Sequence, residues 1–129
     1  MSNVDVVYAL RDAINRGDIE GVIECYDPEV DYSPLRATLR GAYKGHAGVR
    51  EWWADTQESF AEFTLDAEEV RDIGDDRVLA IGTLRTRGQG SGVETTVDTA
   101  SVIEFREGKI VALRDYGDRA AARDAAGAE

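Results

Sequence analysis

RVLAIGTLRTRGQGSGVETTVDTASVIEFREGKIVALRDYG, residues 77–117, decides the architecture of this chain. Within it, segments 77–87, 93–106 and 109–116 alternate apolar and polar residues, separated by the loop Gly88-Gln89-Gly90-Ser91-Gly92 and by Glu107-Gly108. That pattern is the mark of antiparallel hairpins. A fourth alternating segment, 63–73, precedes them and joins through Gly74-Asp75-Asp76. On 93–106 both parities carry apolar side chains, with Val97, Ile103 and Phe105 against Ala100 and Val102, so both faces of the sheet need cover.

Upstream the period changes to that of helices. Residues 4–16 put Val7, Leu10 and Ile14 at helical spacing and end at Gly17, a residue suited to a left-handed cap. Asp18 then caps a second helix with Ile19, Val22, Ile23 and Tyr26 on one face, stopped by Asp27-Pro28. Residues 29–33 read as a short strand with Val30 and Tyr32 on one face and Asp31 and Ser33 on the other, closed by Pro34. A Gly-rich connection (Gly41, Gly45, Gly48) leads to a third helix over 47–61, whose stripe is Val49, Trp52, Trp53, Thr56 and Phe60. Helices first and a meander last predict one α+β domain over 1–129, with helices on one face of a curved antiparallel sheet. A second copy of the chain is the expected cover for the other face, giving a homodimer through the outer sheet face. The Ala-rich tail, 117–129, is compatible with one or two marginal helical turns and is expected to fray.

Composition narrows the chemistry. The 129 residues are 43% hydrophobic and 32% charged, enough for one packed interior. Fifteen Lys plus Arg against twenty-six Asp plus Glu give a net charge of −11, which repels phosphate backbones and anionic bilayers; nucleic acid and membrane are excluded as partners. A single Cys (Cys25) makes no internal disulfide, and with a single His (His46) it supplies no metal cluster. The amino terminus MSNVDVVYAL has no basic start, and no apolar run reaches the roughly eighteen residues a membrane helix needs. A cytoplasmic location is the expectation.

GAYKGHAGVREWW (41–53), RGQGSGV (87–93), FREGKIV (105–111) and RDYGDRAAARDAAG (114–127), in this order and behind the Asn15-Arg16-Gly17-Asp18 helix junction, resemble the SnoaL-like group of the nuclear transport factor 2-like superfamily. The resemblance implies a cone-shaped roll: three amino-terminal helices packed on a strongly curved, mostly antiparallel sheet, with an apolar pocket between them and usually a dimer. It further implies a small apolar ligand and no cofactor. Members include polyketide cyclases, ketosteroid isomerases, limonene epoxide hydrolases and scytalone dehydratases, so the scaffold leaves the reaction open.

Set against those relatives, the carboxylate base of the ketosteroid isomerases falls on Ser33, their oxyanion-binding tyrosine on Leu10 and their protonated carboxylate near Ser101. Steroid isomerisation thus lacks its base and donors; Asp31, two residues before Ser33, is the displaced candidate. The strand aspartate of the limonene epoxide hydrolases matches Asp115, while their earlier arginine and acid fall on Thr83 and Arg85, so the acid for the epoxide oxygen is missing. Polyketide cyclase chemistry stays open.

Read for themselves, the residues give the same short roster. Asp115 shares strand parity with Val111 and Leu113, where desolvation would raise its pKa toward acid-base use; the alternative is an ion pair with Arg85, Arg87 or Arg114. For Asp31 the alternative is an exposed strand-end carboxylate. Of Trp52 and Trp53, one belongs to the core and one to a pocket wall able to stack on a flat ligand. Ser33, Arg85 and Ser101 are substrate-binding candidates by their places in the resemblance, and Tyr43, also a substrate-binding candidate, could orient a ligand oxygen, as could Tyr32 and Tyr116. His46 is either a general base or a helix-start device, and Cys25 a small buried hydrophobe. The loop 88–92 lacks the lysine and following helix of a phosphate loop and reads as a plain turn. Two functions remain: a cofactor-independent cyclase, isomerase, hydratase or lyase with Asp115 as acid-base, or a non-catalytic ligand-binding or dimerisation module.

Overall fold

The computed structural model describes residues 1–34 and 43–127; Gly41 and the last two residues of the tail lie outside them. Val6, Val7, Leu10, Ala13 and Ile14 are buried on one side of α1, Asn3–Asn15. Its start is capped reciprocally: Ser2 Oγ accepts from the Asp5 N–H at 3.1 Å, and the Asp5 carboxylate accepts from the Ser2 N–H at 3.0 Å. The Asp18 carboxylate accepts from the Gly21 N–H at 3.0 Å and opens α2, Ile19–Glu24. This helix ends earlier than its apolar stripe suggested. The Cys25 carbonyl accepts from the Ile110 N–H at 2.9 Å, so Tyr26 is drawn into the sheet as the first residue of β1, Tyr26–Ser33. A short β2, Tyr43–Lys44, precedes α3, Gly45–Ser59. Phe60, placed on the helical stripe by its spacing, instead begins β3.

The meander follows the sequence closely: β3 Phe60–Gly74, β4 Arg77–Gly88, β5 Glu94–Arg106 and β6 Lys109–Asp115. Asp75 and Asp76, at φ 56° and 57°, make the tight turn between the first two. All strands join one sheet in the order β2-β1-β6-β5-β4-β3, antiparallel throughout except where β1 runs parallel to β6. The result is the cone-shaped α+β roll, its concave face closed by α1, α2 and α3. Asn15 pins the lid to the sheet: its side-chain amide donates to the Leu65 carbonyl and accepts from the Leu65 N–H, both at 2.8 Å.

In the described part of the tail the one or two helical turns allowed by its sequence form and are capped. Residues Arg119–Ala126 form α4, with Asp118 accepting from the Ala120 N–H at 2.9 Å and Gly127 closing the helix at φ 70°. Ala122 and Ala126 bury themselves against Leu79, Ile81 and Ala100 on the outer sheet face, and Arg123 binds Glu69 at 2.7 Å. Part of the apolar row assigned to a second copy is therefore covered by a fourth helix of the same chain.

Candidate functional site

A cavity of about 140 Å³ lies between the concave sheet face and the helices. Alternation selects its sheet wall: Ala80, Gly82 and Leu84 from β4, Thr99, Ser101 and Ile103 from β5, and Leu113 and Asp115 from β6. Val7, Leu10 and Ile14 of α1 close one side, and Trp52 of α3 with Tyr26, Tyr32 and Phe63 forms an aromatic wall. The rings meet edge to face: Tyr32 and Trp52 at 5.2 Å and 89°, Trp52 and Phe63 at 6.0 Å and 77°. Small residues on β4 under large ones on the lid leave the hollow. Gly82 is obligatory there, since a Cβ would strike the Asp66 carbonyl oxygen, where β3 shifts register between Ala67 and Glu69.

Asp115 is the carboxyl of this cavity. Its Oδ1 accepts from the Gly117 N–H at 2.8 Å and the Ala100 N–H at 3.3 Å, and among the described residues nothing donates to Oδ2. Burial pushes its pKa up, against the pull of those two N–H groups. The arginines that could have paired with it go elsewhere: Arg85 to Asp66 at 3.2 Å, Arg87 to Glu62 at 3.0 Å, and Arg114 over the Tyr116 ring at 5.1 Å. Ser101 stands directly opposite Asp115 on β5 and is 9% exposed. Tyr32 is pushed well above the usual phenol range by burial first and then by Tyr26, Asp115 and Tyr43.

The other candidates scatter. Trp52, 2% exposed, is the tryptophan of the wall; Trp53 packs against it at 6.0 Å from outside the lining. Asp31 lies outside the cavity, its side chain half exposed and bound to Lys44 at 2.9 Å, because it alternates with the buried Val30 and Tyr32. Arg85 is on the outer face with a side chain 60% exposed. Tyr43 is buried outside the lining, donating to Asp55 at 3.1 Å, and Ser33 is half-buried beside Arg114 of β6. His46 donates from Nε2 to the Tyr26 carbonyl at 2.8 Å, tying α3 to β1. Cys25, buried, keeps a thiol whose pKa burial raises. Residues missed from sequence are Thr99, which shares parity with Ser101 and Ile103, and Tyr26, which shares parity with Val30 and Tyr32. Among the described residues no group of three His, Cys, Asp or Glu stands together as a metal site requires, and no helix is long and apolar enough to cross a membrane.

The SnoaL-like domain model matches residues 7–113, and the chain belongs to that family. Comparison with curated proteins finds no match. Among solved structures, TerC, crystallised with polyporic acid, superposes with a TM-score of 0.79 at 25% identity over 98% of both chains. A nuclear transport factor 2-like protein of unknown function from Burkholderia pseudomallei gives 0.80 at 26% identity over 96% of this chain and 97% of its own. A proposed polyketide cyclase from Pseudomonas putida, at 17% identity and 0.78 over 90% and 91% of the two chains, shares the fold.

Proposed function

We propose that the protein holds a small, largely apolar ring compound in the cavity and acts on it without a cofactor, in an isomerisation, cyclisation or hydration, with Asp115 as the acid-base. The observation that carries this reading is a carboxyl inside an apolar cavity with no cation against it among the described residues. Desolvation holds its pKa closer to neutral than a surface carboxylate's, which favours proton transfer in both directions. As a carboxylate it takes a proton from a carbon beside a carbonyl, and as the acid it returns that proton elsewhere, so an isomerisation closes with no other reagent. A volume near 140 Å³ matches cavities that admit a single small ring, with larger ligands reaching toward the opening. TerC's co-crystallisation with polyporic acid supports an organic ligand in this scaffold.

A second reading, binding without turnover, is favoured by one observation. The other ionisable residues along the lining direct their side chains to partners of their own, Arg11 to Asp12 at 2.8 Å and Asp66 to Arg85 of the outer face at 3.2 Å. A homodimer through the outer face would use what α4 leaves, much of it the ion-paired ladder of Asp66–Arg85 and Glu62–Arg87. The whole chain is taken as one unit, and the charge of −11 with a lone cysteine fits a reducing cytoplasm.

The test is a panel of one- and two-ring ketones and epoxides, followed for binding and turnover with wild type and Asp115→Asn. Catalysis predicts that the variant loses at least about 100-fold in rate while still binding. Equal rates remove Asp115 from the chemistry; binding with no turnover by either protein selects the second reading.

A further inference from the structure

Ser101 and Asp115 face each other across β5 and β6, and both line the cavity. The next pair along, Ala100 and Tyr116, is joined through the backbone, with the Tyr116 N–H donating to the Ala100 carbonyl at 2.8 Å. Hydrogen-bonded and non-hydrogen-bonded pairs alternate along an antiparallel ladder, so Ser101 and Asp115 form a non-hydrogen-bonded pair. Such residues have Cα atoms about 4.5 Å apart and the closest side chains in a sheet. Asp115 uses Oδ1 for the Gly117 and Ala100 N–H groups, and Ser101 Oγ has no hydrogen-bond partner among the described residues. The hydroxyls of Tyr26 and Thr56 are unpartnered too, but they are sealed inside the protein; that of Ser101, on a lining residue 9% exposed, is open to the hollow. Ala80, opposite Ser101 on β4, and Ile103, two residues along β5, offer it no acceptor, and the single methyl of Ala80 leaves room above it. Thr99, the other hydroxyl of this strand in the lining, lies about 7 Å further along β5, past the point where β6 ends at Asp115.

On the reading of Asp115 as the acid-base of the cavity, we infer that the Ser101 hydroxyl donates to the ligand's carbonyl oxygen, which makes enolisable ring ketones the substrate class. A serine hydroxyl keeps a proton to donate at every physiological pH. With the carbonyl oxygen on Ser101, the neighbouring ring carbon falls against Asp115, because the gap between two opposed side chains is no wider than one small ring. The Asp115 carboxylate takes a proton from that carbon; the C–H electron pair forms the enolate double bond and the C=O pair moves onto oxygen, where the Ser101 hydrogen bond meets the new charge. Return of the proton to carbon, at the same or a conjugated position, regenerates the carboxylate.

The experiment titrates cyclohexanone and methylenecyclohexane, a hydrocarbon of nearly the same shape with no carbonyl, into wild type and Ser101→Ala with Trp fluorescence as the signal. Ser101→Ala should weaken the ketone about fivefold and leave the hydrocarbon unchanged, a split that altered packing would not produce. Independently of any variant, the carbonyl stretch of cyclohexanone bound to wild type should fall below its value in hydrocarbon solvent and stay there as pH rises, since serine keeps its proton where a carboxyl loses its own. In D2O, NMR should show wild type exchanging the hydrogens beside the carbonyl for deuterium, and Ser101→Ala slowing that exchange at least about tenfold at saturating ketone. Equal ketone binding by both proteins, or a stretch that is unshifted or reverts as pH rises, overturns the Ser101 assignment and leaves the cavity reading standing. Binding that depends on Ser101 with no exchange by wild type keeps the donor and overturns the acid-base reading of Asp115. Failure of folded wild type to bind either probe overturns both.

Discussion

The two faces of β4 and β5 use neighbouring residues of the same strands to opposite ends. On the outer face Leu79, Ile81 and Ala100 are buried with Ala122 and Ala126 of α4 in one cluster. On the inner face Ala80, Gly82, Thr99 and Ser101 meet long side chains from α1 and α3, and a hollow of about 140 Å³ remains. Small residues on the helix let it approach; small residues on the sheet beneath large helical ones keep it away. The same apolar alternation thus yields a packed seam on one side and a binding cavity on the other.

The heaviest blow to this contrast is Gly82→Ala. Its new methyl group meets the Asp66 backbone oxygen, which cannot step aside as a side chain would; the expected loss is about 3 kcal/mol, or roughly 10 °C in melting temperature. Next comes Ala122→Leu on the packed seam, expected to cost about 2 kcal/mol in a thermal or urea melt and to speed amide exchange throughout α4.

A smaller effect depends on pH. Because burial raises the Asp115 pKa, the folded protein holds that proton more tightly than the unfolded chain, and this group's contribution to stability falls as pH rises from the ordinary carboxylate range through the raised value. Asp115→Asn, which still presents an oxygen to the Gly117 and Ala100 N–H groups, should gain on wild type across that window and hold a constant advantage above it, read from urea melts between about pH 4 and 8. The smallest change belongs to Ala80→Val: added carbon enters empty space, so stability should move by less than about 0.5 kcal/mol while cyclohexanone binding weakens. If Ala80→Val proves as costly as Ala122→Leu, the inner face holds no hollow.

Hairpin turns and strand parity were readable because they are local. Gly74-Asp75-Asp76 and Glu107-Gly108 turn where their residue types say, and parity on β6 sends Asp115 to the side of Leu113. Arg85, of the same parity as Leu79, goes outward to Asp66; resemblance suggested it as a ligand contact, and it is absent from the lining. The caps of α4 were also written in Asp118 and Gly127, yet an alanine-rich segment shows no apolar stripe strong enough to announce its docking. What makes α4 hold is the narrow groove over Leu79, Ile81 and Ala100, which only the assembled sheet provides. Tyr26 was misplaced for a similar reason: its helical spacing was sound, and a hydrogen bond from Ile110, more than eighty residues later, outweighed it.

By itself the sequence determined the α+β class, the hairpin turns and the side of β6 on which Asp115 lies, because each follows from a period or a turn spanning a few residues. Only the tertiary structure decided that Trp52 rather than Trp53 walls the cavity, that α4 covers part of the outer face, and that, among the described residues, Asp115 meets no arginine and the Tyr26 hydroxyl no hydrogen-bond partner. Those outcomes depend on which distant residues the curved sheet brings within a few ångströms, and no local pattern encodes that distance.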